Sequence, residues 1–259
     1  MNWTSSANNQ EHYAILFHSE WSKNMKGTIL QPTYLPWLGY FEMIDSADVF
    51  VVFDHVQFQR KSWQQRNKIK TSNGVVTLTL PIKRKGRNTR ICDAEISYNQ
   101  GNPLEKHWKT ITLAYKKTPF FSNYESIFQD LYSKKYNMLS DLNFAIIETI
   151  SEILGLDKKI VFSSRLSLND ENMGKTEKVV NLCKKVDITS LYDAKSAAEF
   201  LNIPLFDKEG ISVTFQSYKH PTYNQPWGNF VAYLSVIDLL FNEGDSSLEI
   251  IRGGRERIS

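Results

Sequence analysis

A short apolar run, Thr28–Leu30, leads into a loop stiffened by Pro32 and Pro36, then a helix-length segment, Trp37–Ser46, and a second apolar run, Val49–Phe53, that ends on Asp54 and His55. This succession constrains the fold more than any other stretch of the chain. Two buried strands joined through a helix run parallel, because a crossover helix returns the chain to the same end of the sheet. Open α/β sheets receive ligands outside the carboxyl ends of their strands. The polar residues that follow each run, Gln31, Thr33 and Tyr34 after the first and Asp54, His55 and Gln57 after the second, are therefore delivered to the expected binding edge.

The alternation continues along the chain. Val75–Leu80 reads as a strand from its Val, Thr and Leu content, and Ala94–Ser97 as a short one. Helices are predicted over Pro103–Lys116, Tyr124–Lys135 and Leu139–Leu154, the last from Leu142, Ala145, Ile146, Thr149, Ile150 and Ile153 at helical spacing, with Gly155 as its stop. Strands at Ile160–Phe162 and Ile211–Phe215 alternate with helices at Thr176–Lys185, Ala194–Leu201 and Asn229–Phe241. Strands separated by helices imply an α/β fold, a mostly parallel sheet with helices on both faces. One domain over residues 25–251 is expected, with a loose N-terminal extension over 1–24, a mobile basic loop over 83–90 and a frayed tail over 252–259.

Composition narrows the function classes. With 41% hydrophobic and 23% charged residues the chain is globular, and a formal charge of +3 is too small to imply nucleic acid or a membrane surface on its own. No apolar stretch is long enough to span a bilayer, so no membrane insertion is expected. Cys92 and Cys183 stand far apart and outside any metal-ligand spacing, which suits two free thiols in a reducing compartment. With no basic and apolar leader at its start, the cytoplasm is the expected location and no metal site is expected.

Several constellations could carry chemistry. Gln31 and Tyr34 precede a helix N-terminus, where anionic groups are well received, although no glycine-rich phosphate cradle is present. Asp54 at a strand end could act as a base, a ribose partner or a ligand. Residues 60–70 place Arg60, Lys61, Arg66, Lys68 and Lys70 around Trp63, with Asn67 among them, a setting for a diphosphate or, through interleaved basic and aromatic residues, for RNA. His107 lies near a helix start, and Ser163 and Ser164 follow a short strand. The segment His220–Gly228 matches the opening loop in style, with two prolines, aromatic residues including Tyr223, and Gln225 ahead of a helix. Asp238 lies on an apolar helix and must be paired or face a cleft.

Together these stretches resemble the WbqC-like protein family. The likeness rests on Gln31-Pro32, Tyr34–Trp37 and Gly39–Phe41, then Ala47-Asp48, Val56–Phe58, Arg66-Asn67, Lys106-His107, Ser163-Ser164, His220-Pro221 with Tyr223 and Gln225, and Ile237–Asn242, spread over roughly residues 26–244. The resemblance implies a role in bacterial surface polysaccharide assembly, notably of O-antigen, with acyl or aminoacyl (glycyl) transfer to a nucleotide-linked amino sugar as the chemistry. His220, His107 and Asp54 are then the acid/base candidates. Arg66 and Lys70 would face the diphosphate, and Gln31, Tyr34, Gln57, Asn67, Ser163, Ser164, Tyr223 and Gln225 would bind or orient substrate. One departure is Asp193–Ala198, where a Gly/Ser-rich loop would be expected. The opening and the Ser163 segment are also similar to pantothenate synthetase and related nucleotidyltransferases, without their paired histidines; this implies a Rossmann-like fold. Direct transfer from an activated donor requires no cofactor, whereas an acyl-adenylate-forming alternative would use ATP and magnesium. A non-catalytic RNA- or partner-binding protein is the third reading.

Overall fold

A computed structural model describes residues 24–83, 86 and 88–256. Most of the expected N-terminal extension (1–23), part of the basic loop (84, 85 and 87) and the end of the tail (257–259) lie outside the described residues. Five parallel strands form the central sheet: β1 (Lys26–Leu30), β2 (Val49–Val52), β5 (Lys159–Phe162), β6 (Ser190–Asp193) and β7 (Ser212–Phe215), in the order β5-β2-β1-β6-β7. From β1 the chain works outward through β2 to β5, then returns to β6 on the other side of β1. The direction of winding thus reverses between β1 and β6, and the fold is α/β and Rossmann-like.

Pleating assigns the strand side chains to two cores. Leu30, Phe50 and Val52 join one, while Ile29, Val49 and Val51 face the other. The first core takes in α1 (Leu38–Asp45), α2 (Pro103–Tyr115), α3 (Phe121–Ser133), α4 (Leu139–Ile153), α7 (Val236–Glu243) and Ile251 of α8 (Ser247–Gly253). The second is closed by α5 (Lys175–Lys185) and α6 (Ile203–Asp207). In α4 the predicted stripe is buried at Leu142, Ile146 and Ile150, each such side chain contributing about 1.5–3 kcal/mol of burial, and Gly155 follows with φ of 67°. Asn102 caps α2 by accepting from the Leu104 N–H at 3.1 Å, one residue before Pro103 opens the helix.

The structure corrects several sequence expectations. Residues 66–71, most of them within the basic run and not expected as a strand, form β3 (Arg66–Thr71), which pairs antiparallel with β4 (Gly74–Thr79), the expected Val75–Leu80 strand, in a separate two-stranded sheet. Ala94–Ser97 makes only isolated bridges, through Glu95 and Ile96. The predicted helix at Ala194–Leu201 is a five-residue 3-10 turn, Lys195–Glu199, and is preceded by β6. The helix expected from Asn229 begins only at Val236, because Ser235 caps it and Tyr233 sits at a left-handed φ of 59° that no helix continues through. The tail is fastened as far as Glu256: Arg252 donates to Asp45 at 2.8 Å, Arg255 donates to buried Glu42 at 2.9 Å, and Ser217 donates to Glu256 at 2.6 Å.

Candidate active site

Because β1, β2 and β5 are parallel neighbours, Gln31, Asp54 and Ser163 all emerge at the same edge of the sheet. There Asp54, itself buried, bridges the ends of β2 and β5. Its Oδ1 accepts from the Ser163 hydroxyl at 3.0 Å and from the Ser164 N–H at 2.9 Å, and its Oδ2 accepts from the Ser164 hydroxyl at 2.7 Å. Ser163 Oγ also lies 2.7 Å from His55 Nδ1, and His55 Nε2 lies 2.9 Å from Asp170 Oδ2. Cys92 is drawn into the same corner by its N–H, which donates to the Asp54 carbonyl at 2.9 Å. Burial, with the charges of Asp54 and Asp93, pushes the Cys92 thiol up to about 11. Burial and the Asp54 charge likewise raise Asp141.

One strand over, past the end of β1, a cleft of about 310 Å³ opens between Thr33, Trp37, Tyr40, Trp63, Asn67 and Tyr233. Four of these six residues are aromatic. Trp63 and Tyr233 are exposed, at 51% and 60%, so the rings stand at a solvent-facing mouth. Residues 59–68 are laid over the opening loop by polar ties. The Trp63 carbonyl accepts from the Tyr34 N–H at 2.9 Å, Gln64 donates to Gln31 Oε1 at 2.7 Å, and Asn67 donates to the Leu35 carbonyl at 2.5 Å. Buried Asn143 clamps both segments, donating to the Pro32 and Gln64 carbonyls at 3.0 and 2.8 Å. Leu35, fully buried at a φ of 48°, is held in a strained conformation by these contacts.

His220 stands directly behind this cleft. Its ring stacks on Trp37, with centroids 6.2 Å apart and planes 18° from parallel, and meets Tyr233 edge-on at 5.0 Å. The two prolines-and-aromatics loops therefore meet through these rings. His220 Nδ1 lies 2.8 Å from the Pro221 carbonyl, which can only accept, so the proton sits on Nδ1. Nε2 is left as the lone-pair nitrogen, buried and without a hydrogen-bond partner among the described residues. Burial lowers the imidazole's affinity for a second proton, opposed by the Pro221 hydrogen bond.

Other sequence candidates are built into the interior instead. Asp238, fully buried, accepts from Tyr115 at 2.7 Å, Tyr223 at 2.9 Å and Gln225 at 2.8 Å. Burial raises its carboxyl and these donors pull it back. Lys70, expected to face a diphosphate, is 2% exposed and donates to the Asn229 carbonyl at 2.6 Å and to Gln225 at 3.3 Å, so its charge is spent inside the fold. His107 is buried against Tyr34, whose hydroxyl meets His107 Nδ1 at 2.8 Å and Tyr132 at 2.9 Å. Burial pushes the His107 imidazole down to about 4, so at neutral pH it is an uncharged core group, away from the cleft lining. Tyr34, Tyr223 and Gln225 thus act through the scaffold. Arg66 differs: it is half-buried beside Asn67, and no hydrogen bond or ion pair among the described residues engages its guanidinium. Gln57 is exposed and bridges Arg90.

The WbqC-like protein family matches residues 31–250, from the residue after β1 into α8. The chain belongs to the WbqC-like family. An uncharacterized protein of Mycobacterium tuberculosis, Rv1507c, is 32% identical over 235 residues, covering 89% of this chain and 99% of its own length. No solved structure matches the chain. No helix among the described residues of this WbqC-like chain is long and apolar enough to cross a membrane, and no group of His, Cys, Asp and Glu side chains among them is arranged to hold a metal ion.

The family stretches fall into two structural roles. Trp37, Tyr40 and Asn67 line the cleft, while Tyr34, His107, Tyr223, Gln225 and Asp238 are tied by hydrogen bonds into the interior. Sequence reasoning passed over Tyr233, hidden inside a predicted helix, and Asp170, which lies in a loop with no pattern to single it out. Trp63 was visible as the aromatic centre of the basic run, but the run does not form one basic face: Lys70 points inward, and Lys68 lies over the Trp63 ring at 5.9 Å.

Proposed function

We propose that the chain is an acyl or aminoacyl (glycyl) transferase acting on the amine of a nucleotide-linked amino sugar in surface polysaccharide biosynthesis, including that of O-antigen, and that the aromatic cleft holds this acceptor. The observation that carries the reading is His220, whose tautomer leaves Nε2 bare directly behind Trp37 and Tyr233. An amine attacks a carbonyl only after losing a proton, and a neutral imidazole with a free lone pair is the group that takes it near neutral pH. Sugars and nucleobases both present flat apolar faces to aromatic rings, and Trp37, Trp63 and Tyr233 offer such faces at the cleft. Arg66, with no hydrogen bond or ion pair among the described residues, offers a planar cation suited to a diphosphate. Free Cys92 and Cys183 support a reducing, cytoplasmic setting. The acyl-adenylate alternative would need the Ser163 and Ser164 hydroxyls to turn toward a phosphate, and both are engaged by Asp54.

Calorimetric titration with a UDP-linked amino sugar tests the placement. Trp63→Ala should weaken binding about tenfold or more, following a stacking contribution of about 1–3 kcal/mol. Unchanged affinity in a folded variant would remove the cleft from the account.

A further inference from the structure

The corner where β2 and β5 end holds a serine set up differently from its neighbour. Ser163 is 1% exposed, and its Oγ is crowded by Asp54 Oδ1 and the Asp54 N–H, each at 3.0 Å, and by His55 Nδ1 at 2.7 Å, with His55 braced in turn by Asp170 at 2.9 Å. Ser164 is exposed, and its hydroxyl has one partner among the described residues, Asp54 Oδ2 at 2.7 Å. The other carboxylate oxygen is occupied by Ser163 and by the Ser164 N–H, so Asp54 cannot rotate away without breaking both bonds. An exposed hydroxyl held by a buried, braced carboxylate has the arrangement of an activated nucleophile: nucleophile, base within hydrogen-bond reach, and a further shell that orients the base. Arg165 follows directly in an exposed position, its guanidinium over the Phe162 ring at 4.0 Å.

We propose that Ser164 is a covalent acyl carrier, with Asp54 as its base and Ser163, His55 and Asp170 as positioning residues. This rests on the transferase reading above and supplies its donor half. In the first step Ser164 Oγ attacks the carbonyl carbon of an activated acyl ester or thioester. The Oγ–C bond forms, the hydroxyl proton passes to Asp54 Oδ2, and the donor's C–O or C–S bond breaks as Asp54 returns the proton to the leaving alcohol or thiol. In the second step the sugar amine attacks the Ser164 ester, the C–N bond forms, the C–Oγ bond breaks, and the amine's proton returns to Oγ. No oxidation or reduction takes place.

Incubation with p-nitrophenyl acetate, read by intact-protein mass and peptide mapping, tests the carrier apart from the acceptor site. One acetyl group is expected on Ser164 of the full chain. Ser164→Ala should abolish it, Ser164→Cys should restore labelling, and Asp54→Asn should slow it by about 100-fold, within the usual range for loss of a general base. Labelling that survives in Ser164→Ala, maps to another residue, or is absent from the wild-type protein would overturn the proposal. Calorimetry with the UDP-linked amino sugar on the same Ser164→Ala protein reports the cleft separately: retained binding with no labelling of wild type removes only the carrier, whereas labelled wild type that binds no sugar removes only the acceptor site.

Discussion

His107 and His220 were both acid/base candidates in the sequence, and their surroundings separate them. His107 is enclosed by Tyr34, Tyr132 and α2, so charging it inside the fold is costly, and its imidazole is pushed down to about 4 from an ordinary 6.5. Between pH 6.5 and 4 the unfolded chain therefore binds more protons at this residue than the folded one, and stability falls as the pH falls through that window. The loss approaches about 3 kcal/mol once the pH is below 4. Asp193 works in the opposite direction, because burial pushes its carboxyl up to about 6 and its extra proton favours the folded state as the pH drops. Comparing wild type with His107→Gln isolates the histidine: urea midpoints measured from pH 7 to 4 should fall less steeply in the variant. Parallel curves would mean that His107 is solvated in the folded protein.

At the scale of elements, the opening strand, loop and helix, the α2 start at Pro103 and the α4 stripe were legible because each carries a local signal: an apolar run, a proline at the first helical turn, a 3.6-residue period. β4 was read from its Val, Thr and Leu content, but its partner β3 was hidden by its lysines, although Asn67 and Ile69 inward with Lys68 outward keep the strand alternation, and Asn73 before Gly74 at φ of 103° marks the turn. β6 has only Ser190, Leu191, Tyr192 and Asp193, and becomes a strand because β1 and β7 pair with it on either side. The start of α1 also sets the cleft wall. A Cβ on Gly39 would fall 2.2 Å from the Trp37 ring, so the indole can lie back over this turn only because residue 39 has no side chain. Gly39→Ala should leave the far-UV circular dichroism intact while weakening nucleotide-sugar binding by at least about tenfold, a loss on the scale of one stacking contact. Wild-type affinity in this variant would show that the Trp37 position is not what the ligand uses.

For the whole molecule, the sequence put the Gln31, Asp54 and Ser163 segments at one end of the sheet, and they lie there because parallel strands deliver their following loops to one edge. It could not distinguish residues that face the cleft from residues that hold it. Lys70, Tyr223, Gln225 and Asp238 form one buried hydrogen-bond network that joins positions more than 150 residues apart, and only the folded chain shows that Lys70 and Asp238 share it through Gln225. What remains at the edge is an aromatic cleft past β1, a bare histidine nitrogen behind it and a carboxylate-held serine at the end of β5, two strands away. The central claim is that these groups acylate a sugar amine. Mass analysis of the products formed from a UDP-linked amino sugar and an acyl thioester tests it most directly, with wild type and His220→Gln compared at equal ligand saturation. A new amide on the sugar amine is expected from wild type, with at least about 100-fold slower formation by His220→Gln and little change in its sugar affinity. Sugar binding without any amide from wild type, or turnover by His220→Gln at the wild-type rate, would contradict the account.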